Sequence, residues 1–372
     1  MLKTDDTFFL DFLRGLSALV VLVAHVQQIL LNPIWMPFSL TEKNDILPFL
    51  YSQLGAFAVM IFFVLSGFLI TYSIFLNFKN MQGGGFDHSL YFSKRMKRLY
   101  PPLLLSQGVV LFVFFVVYLC GATNADFFAT GKELYLARRE IKFDAMDYFG
   151  SMFFLNTIVE GIKSPVLNGP LWSVAQEFWF YVLAGLLVMS IFNKKIIALL
   201  LCVFVFLCWQ GNSFFFYGLM VWLFGCIIAI LHLLRFSEKN KYVVYALFVI
   251  ALSAWLVLVV QADNLFFKNR QKFAFGIAFA FLMLILLESE LFKGRLMAMW
   301  AARRIAKIAA YSYTLYLVHF PILIAIFIFT NKYTQQNWWL VVAVAAMSIV
   351  LVMWLSAKMA TLVEKGFKEK IA

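Results

Sequence analysis

Residues 8–31 read FFLDFLRGLSALVVLVAHVQQILL, an apolar run interrupted by only a few polar side chains. At 1.5 Å rise per residue, a helix needs about 20 mostly apolar residues to cross a bilayer. This run is long enough. It also holds Asp11 and Arg14 and lacks a small-residue cleavage site, so it reads as a spanning helix rather than a removable signal. Nine further apolar runs follow at roughly 50–77, 100–120, 172–192, 195–210, 213–233, 242–260, 271–288, 308–330 and 337–361. The pattern predicts an all-α, polytopic membrane helical bundle of about ten transmembrane helices. The stretch from Tyr148 to Ile158 is apolar but too short to cross, and reads as a re-entrant or interfacial piece.

Composition agrees. The chain has 372 residues, of which 63% are hydrophobic and 13% charged. A soluble domain carries nearer a quarter charged residues. The lipid-facing surface of a membrane protein must be apolar as well as its interior, which accounts for the excess. The net charge of +12 sits mostly in short segments between apolar runs: Lys79, Lys94, Arg95, Lys97 and Arg98; Lys194 and Lys195; Arg235, Lys239 and Lys241; Lys293, Arg295, Arg303, Arg304 and Lys307; Lys365, Lys368 and Lys370. All follow even-numbered runs, so they share one side. The positive-inside rule makes that side cytoplasmic, with both termini on it. The excess positive charge is therefore matched to membrane lipid and an anionic ligand, and nucleic acid is not expected as a partner. The whole chain, 1–372, reads as a single integral-membrane domain with an extracytoplasmic loop at about 121–171 and no room for a fused soluble domain. Cys120, Cys202, Cys208 and Cys226 form no CxxC pair and read as small hydrophobes.

Ionisable residues inside spanning helices are expensive and usually face a cavity or a partner. Arg14 and His25 are eleven residues apart. That spacing is about 16 Å along a helix and returns to nearly the same face. Asp11 lies one turn before Arg14 and is placed to pair with it. His25 is either an interhelical hydrogen-bonder or a group that moves protons, as a base toward a hydroxyl or as a relay in a transporter. His319 lies in Tyr311-Ser312-Tyr313-Thr314-Leu315-Tyr316-Leu317-Val318-His319-Phe320-Pro321, where Pro321 frees a backbone carbonyl one turn earlier. Glu177 follows Pro170-Leu171-Trp172-Ser173 and reads either as a helix-start cap or as an orienting carboxylate. His88 and His232 adjoin charged segments and read as solvated. The four histidines are scattered, so no metal is expected, and neither HExxH nor GxSxG occurs.

Taken in order, these residues resemble the acyltransferase family 3 membrane proteins. The resemblance is carried by Leu10-Asp11-Phe12-Leu13-Arg14 through His25, Phe62-Phe63-Val64-Leu65-Ser66-Gly67-Phe68, and Lys94-Arg95 through Arg98-Leu99-Tyr100-Pro101. It continues with Pro170-Leu171-Trp172-Ser173 to Glu177, and with Tyr313 through Leu315-Tyr316-Leu317 to His319. It covers about residues 8–367. The ending Glu364-Lys365-Gly366-Phe367 departs from the Glu-Lys-Pro-Phe-like tail common in the family. The resemblance implies transfer of an acyl group, usually acetyl from acetyl-CoA, to a hydroxyl of a surface glycan or lipid-linked sugar at the bacterial cytoplasmic membrane. It implies His25 as the catalytic histidine with Arg14 as its basic companion, and Glu177 and His319 as further site residues. Arg14, Arg95 and Arg98 are expected on the donor side, Ser66 and Tyr313 as further acyl-CoA-binding residues, and Ser66, Tyr313 or Tyr316 as candidate hydrogen-bond donors to the tetrahedral oxyanion. The competing reading is a transporter or flippase of a polar or lipid-linked glycan, which also places charges inside a helical bundle.

Overall fold

The computed structural model describes residues 2–31, 46–81, 85–121, 141–156, 158–209, 211–260, 265–334 and 337–365. The charged loop positions 42–45, Gly83 and Gly84, residues 122–140 of the long loop and the tail beyond 365 lie outside the described residues.

Among those residues every regular element is helical. In chain order they are α1 Thr4–Val26, α2 Ile46–Asn80, α3 His88–Leu119, α4 Ala145–Met152, α5 Leu171–Phe192, α6 Ile196–Cys208, α7 Ser213–Leu233, α8 Phe236–Val260, α9 Leu265–Glu288, α10 Glu290–Ala298, α11 Trp300–Ile308, α12 Ser312–Thr334 and α13 Trp338–Ala360. Wide turns at Gln27–Leu31 and Thr361–Lys365 extend α1 and α13. Nine helical spans among the described residues are long and apolar enough to cross a membrane. Their outward faces are greasy: Phe112, Ile250 and Val350 are 67%, 65% and 69% exposed. Water would not tolerate so many such residues, and the chain is an integral multi-pass membrane protein.

Most expected runs appear within a few residues of their predicted bounds. At 195–210 the helix is Ile196–Cys208, 13 residues. That length rises about 20 Å, against a hydrocarbon thickness of about 30 Å. The expected short piece after Tyr148 is α4, whose start is capped by the Asp144 carboxylate accepting from the Asp147 amide. The basic run Lys94–Arg98, expected in a connecting loop, belongs to α3, which begins twelve residues before the predicted 100 and carries Pro101 and Pro102 inside it. The carbonyls those prolines leave unmatched belong to Lys97 and Arg98, both exposed positions, which keeps the interruption tolerable.

The chain divides into two compact units. One comprises Met1–Ser17, Ala56–Met96 and Gln176–Ala310; the other comprises Ala18–Gly55, Lys97–Ala175 and Tyr311–Ala372. In the first unit, helices meet at glycine. A Cβ on Gly67 would lie 2.0 Å from the Trp222 carbonyl oxygen, and one on Gly225 would lie 2.2 Å from that of Val64. Helices α2 and α7 therefore cross backbone to backbone, the contact that small residues permit in membranes. Gly15 of α1 meets the Ile305 carbonyl of α11 just as closely, at 2.0 Å. A buried ion pair between Asp6 and Lys293 joins the first turn of α1 to α10. In the second unit, α12 packs on α13, and both meet the wide turn at Gln27–Leu31.

Gly67→Ala is expected to destabilise the protein by about 1–3 kcal/mol through overpacking. Gly108→Ala is expected to have no such effect, because nothing lies within 4 Å of its added carbon. Thermal unfolding in lipid nanodiscs checks this. Equal melting temperatures for Gly67→Ala and the parent would contradict the backbone crossing.

Candidate active site

The second unit builds its polar centre on α12. Pro321 has no N–H, so the Leu317 carbonyl loses its partner within the helix. Two buried side chains replace it. Ser106 Oγ donates to that oxygen at 2.8 Å and Asn168 Nδ2 donates at 2.9 Å. Asn168 Nδ2 also reaches Ser106 Oγ at 2.9 Å. A buried carbonyl left unsatisfied would cost about 1–3 kcal/mol, so these two residues make the proline-bearing helix affordable at this depth.

Two residues before the proline, the same helix holds His319, which is 1% exposed. Its Nδ1 lies 3.1 Å from the Leu315 carbonyl oxygen. A carbonyl only accepts, so Nδ1 carries the proton. In a neutral ring Nε2 is then the lone-pair nitrogen. That atom lies 2.9 Å from His25 Nδ1. His25 Nδ1–H therefore donates to it, and the lone pair of His25 sits on Nε2. The second ring nitrogen of each imidazole is set by the bond the first one makes. Phe320 meets the His25 ring edge-on at 5.2 Å between centroids and helps to hold it. His25 itself is only half-buried.

Tyr316 has its hydroxyl 2.5 Å from Ser173 Oγ and 3.4 Å from the Pro170 carbonyl, which Ser173 Oγ also reaches at 3.1 Å. The Pro170–Ser173 stretch is thus tied to α12 beside His319. Tyr313 lies half-buried six residues before His319, and Arg98 is exposed on α3.

The first unit holds the other predicted residues. Arg14 Nη1 is 3.3 Å from the Asp11 carboxylate, the pairing expected from their spacing, and its Nη2 donates to the Ala309 carbonyl at 3.0 Å. Ser66 lies in a directed chain: Trp222 Nε1 donates to Ser66 Oγ at 3.1 Å, Ser66 donates to the Tyr181 hydroxyl at 3.0 Å, and Tyr181 donates to Glu177. Glu177 is the seventh residue of α5, not part of its first turn. Its carboxylate receives a tyrosine four residues on, so it does not act as a cap on the helix start. Arg95 is buried, with its guanidinium over the rings of Tyr91 and Tyr181 at 5.4 and 5.8 Å and a hydrogen bond to Ser73. His232, expected to be solvated, instead meets the Tyr72 hydroxyl through Nδ1. The two lie beside a cavity of about 830 Å³ also lined by Asp6, Glu288 and Lys293.

His25 and His319 were thus singled out from the sequence and are paired in the structure. Ser106 and Asn168 were not singled out for this site. One signal for Ser106 and Asn168 existed: the Leu317 carbonyl had to find donors. The donors lie 211 and 149 residues away in the chain, so spacing could not reveal them.

Comparison with known proteins accords with this geometry. The acyltransferase domain of family 3 matches residues 7–357, and the chain belongs to that family of membrane-bound acyltransferases. The chain is 25% identical over 309 residues to the O-acetyltransferase OatA of Staphylococcus aureus, covering 76% of this chain and 48% of that protein. It is 26% identical over 202 residues to an O-acetyl transferase of Shigella phage Sf6, covering 54% and 52%. A Haemophilus influenzae protein of unassigned role is 30% identical over 137 residues, covering 36% and 49%. The chain spans about half the length of the curated relatives it matches. No solved structure matches it. Family membership favours acyl transfer over the transporter reading.

Asn168→Ala is expected to lower stability by about 1–3 kcal/mol, because the Leu317 carbonyl loses a buried donor. In a Pro321→Ala background the helix supplies its own N–H, so the same change should cost clearly less. Melting temperatures of the four proteins measure the difference. Equal losses in both backgrounds would show that Asn168 does not serve the proline-freed carbonyl.

Proposed function

We propose that this protein is a membrane O-acyltransferase that moves an acetyl group from cytoplasmic acetyl-CoA to a hydroxyl of a surface glycan or lipid-linked sugar. The observation that carries the reading is the His25–His319 pair, which leaves the lone pair of His25 Nε2 available to take a proton. The acetyl assignment draws on the names of the staphylococcal and phage relatives, both O-acetyl transferases, and the glycan acceptor on what the family resemblance implies.

The reaction runs as follows. The acceptor hydroxyl approaches His25 Nε2, and its oxygen attacks the thioester carbonyl while Nε2 takes the proton. His319 Nε2 accepts from His25 Nδ1–H throughout, which fixes the ring and spreads the positive charge that forms on it. The tetrahedral adduct collapses, the carbon–sulfur bond breaks, and the departing thiolate recovers the proton from His25. The products are the acetyl ester and CoA thiol, and no proton is gained or lost overall. Arg14 and Arg98 attract the CoA phosphates through charge-assisted hydrogen bonds. Arg95 acts from within, by holding the Tyr91–Tyr181–Glu177 group. The roughly 16 Å between Arg14 and His25 along one helix suits a pantetheine arm whose phosphates stay wet. Ser66 and Tyr313 are each assigned a hydrogen bond to the acyl-CoA.

The same reading makes residues 1–372 one catalytic domain of ten crossings in a bacterial cytoplasmic membrane. The short α6 crosses by local thinning of the bilayer, and both termini are cytoplasmic. Single cysteines placed at Lys195 and Gly211, at either end of α6, labelled from one side of sealed vesicles, are expected to report opposite sides. Labelling from the same side would remove α6 from the set of crossings.

Transfer is measured with radiolabelled acetyl-CoA and alkali-deacetylated surface polysaccharide from the host. His25→Ala is expected to lose about 10²–10⁴-fold in rate. Arg98→Ala is expected to raise KM for acetyl-CoA with little change in kcat. Full activity in His25→Ala would end the proposal.

A further inference from the structure

The C-terminal turn Thr361–Lys365 brings Glu364 back to the start of α12. Its Oε1 accepts from the Thr314 backbone N–H at 3.1 Å and also from the Thr314 hydroxyl. Thr314 is the third residue of α12. The first four N–H groups of any helix have no partner within it, and the helix start carries partial positive charge. A carboxylate there answers both needs. His319 lies five residues further on, less than one and a half turns away.

The segment bearing His319 is thus held at two points that do not belong to its own helix. Glu364 grips it upstream at Thr314, and Ser106 and Asn168 grip it downstream at the Leu317 carbonyl. Between those points the Leu315 carbonyl receives His319 Nδ1–H. Rotation of the first turn of α12 would swing the Leu315 carbonyl away from His319. It would also release the tautomer that makes His25 basic at Nε2.

We infer that Glu364 is a positioning residue for acyl transfer: it locks the first turn of α12 so that His319 accepts from His25. This inference rests on the role proposed above for the His25–His319 pair. It assigns a task to the chain end, where the sequence departs from the family's usual ending just after Glu364.

The test uses the full-length protein in nanodiscs with radiolabelled acetyl-CoA and deacetylated host polysaccharide. Glu364→Ala is expected to lower kcat by about tenfold or more, as slight misplacement of a reacting group does. KM for acetyl-CoA is expected to change less than kcat, since Arg14 and Arg98 are untouched. Glu364→Gln keeps an oxygen that can accept both bonds and should recover most of kcat. Glu364→Asp withdraws the carboxylate by one methylene and should not. Parental kcat in Glu364→Ala would overturn the inference, as would a glutamine variant no better than alanine. If the alanine protein does not fold, the contrast between glutamine and aspartate decides in the same way. His25→Ala is run alongside. Activity retained in His25→Ala breaks the functional reading itself, whereas an inactive His25→Ala beside a fully active Glu364→Ala breaks only the inference about Glu364.

Discussion

A backbone carbonyl cannot give up a proton it does not have, and the arrangement of the His25–His319 pair turns on that fact at Leu315. Because its oxygen can only accept, His319 must present N–H at Nδ1 and a lone pair at Nε2. His25 must then donate from Nδ1 and keep Nε2 free. No carboxylate is needed to choose the tautomer. A negatively charged partner would be costly to bury at this depth, whereas a neutral imidazole in a low-dielectric setting carries no such penalty and still accepts strongly.

The surrounding structure serves to keep that chain of two rings in line. Pro321 breaks the regular bonding of α12 and draws Ser106 and Asn168 onto the Leu317 carbonyl, so a weakness in the helix becomes an attachment point. Tyr316 and Ser173 fasten the Pro170–Ser173 stretch to the same helix. The first unit shows a parallel economy with different residues. Its polar groups form a one-way series from Trp222 through Ser66 and Tyr181 to Glu177, with Arg95 lying over the tyrosine rings. Buried polar groups joined in this way make a single arrangement much better than its alternatives. Close glycine crossings at Gly67, Gly225 and Gly15 leave the helix backbones little room to slide.

The membrane helices were readable because hydropathy is a local property, and most predicted runs coincide with helices to within a few residues. The exceptions have physical causes. α3 starts early because nothing in Lys94–Tyr100 prevents helix formation outside the lipid, so hydropathy ends before the helix does. His25, His319, Arg14 and Asp11 stood out because charge and imidazole are conspicuous in apolar runs. The pairing of the two histidines was not readable, since 294 residues separate them and no periodicity links different helices. His232 was misread as solvated for the same reason: its partner Tyr72 lies on α2, 160 residues earlier. Glu364 sat in a segment whose departure from the family pattern drew attention to the missing proline rather than to the carboxylate.

The central claim concerns where one proton sits, and nitrogen-15 magnetic resonance reads that directly. Histidine-labelled protein in nanodiscs, with His88 and His232 replaced to leave two signals, should show His25 protonated at Nδ1 and bare at Nε2, and His319 likewise. A His25 ring with its hydrogen on Nε2 and its lone pair on Nδ1 would contradict the account, because such a ring has no base to offer the acceptor hydroxyl.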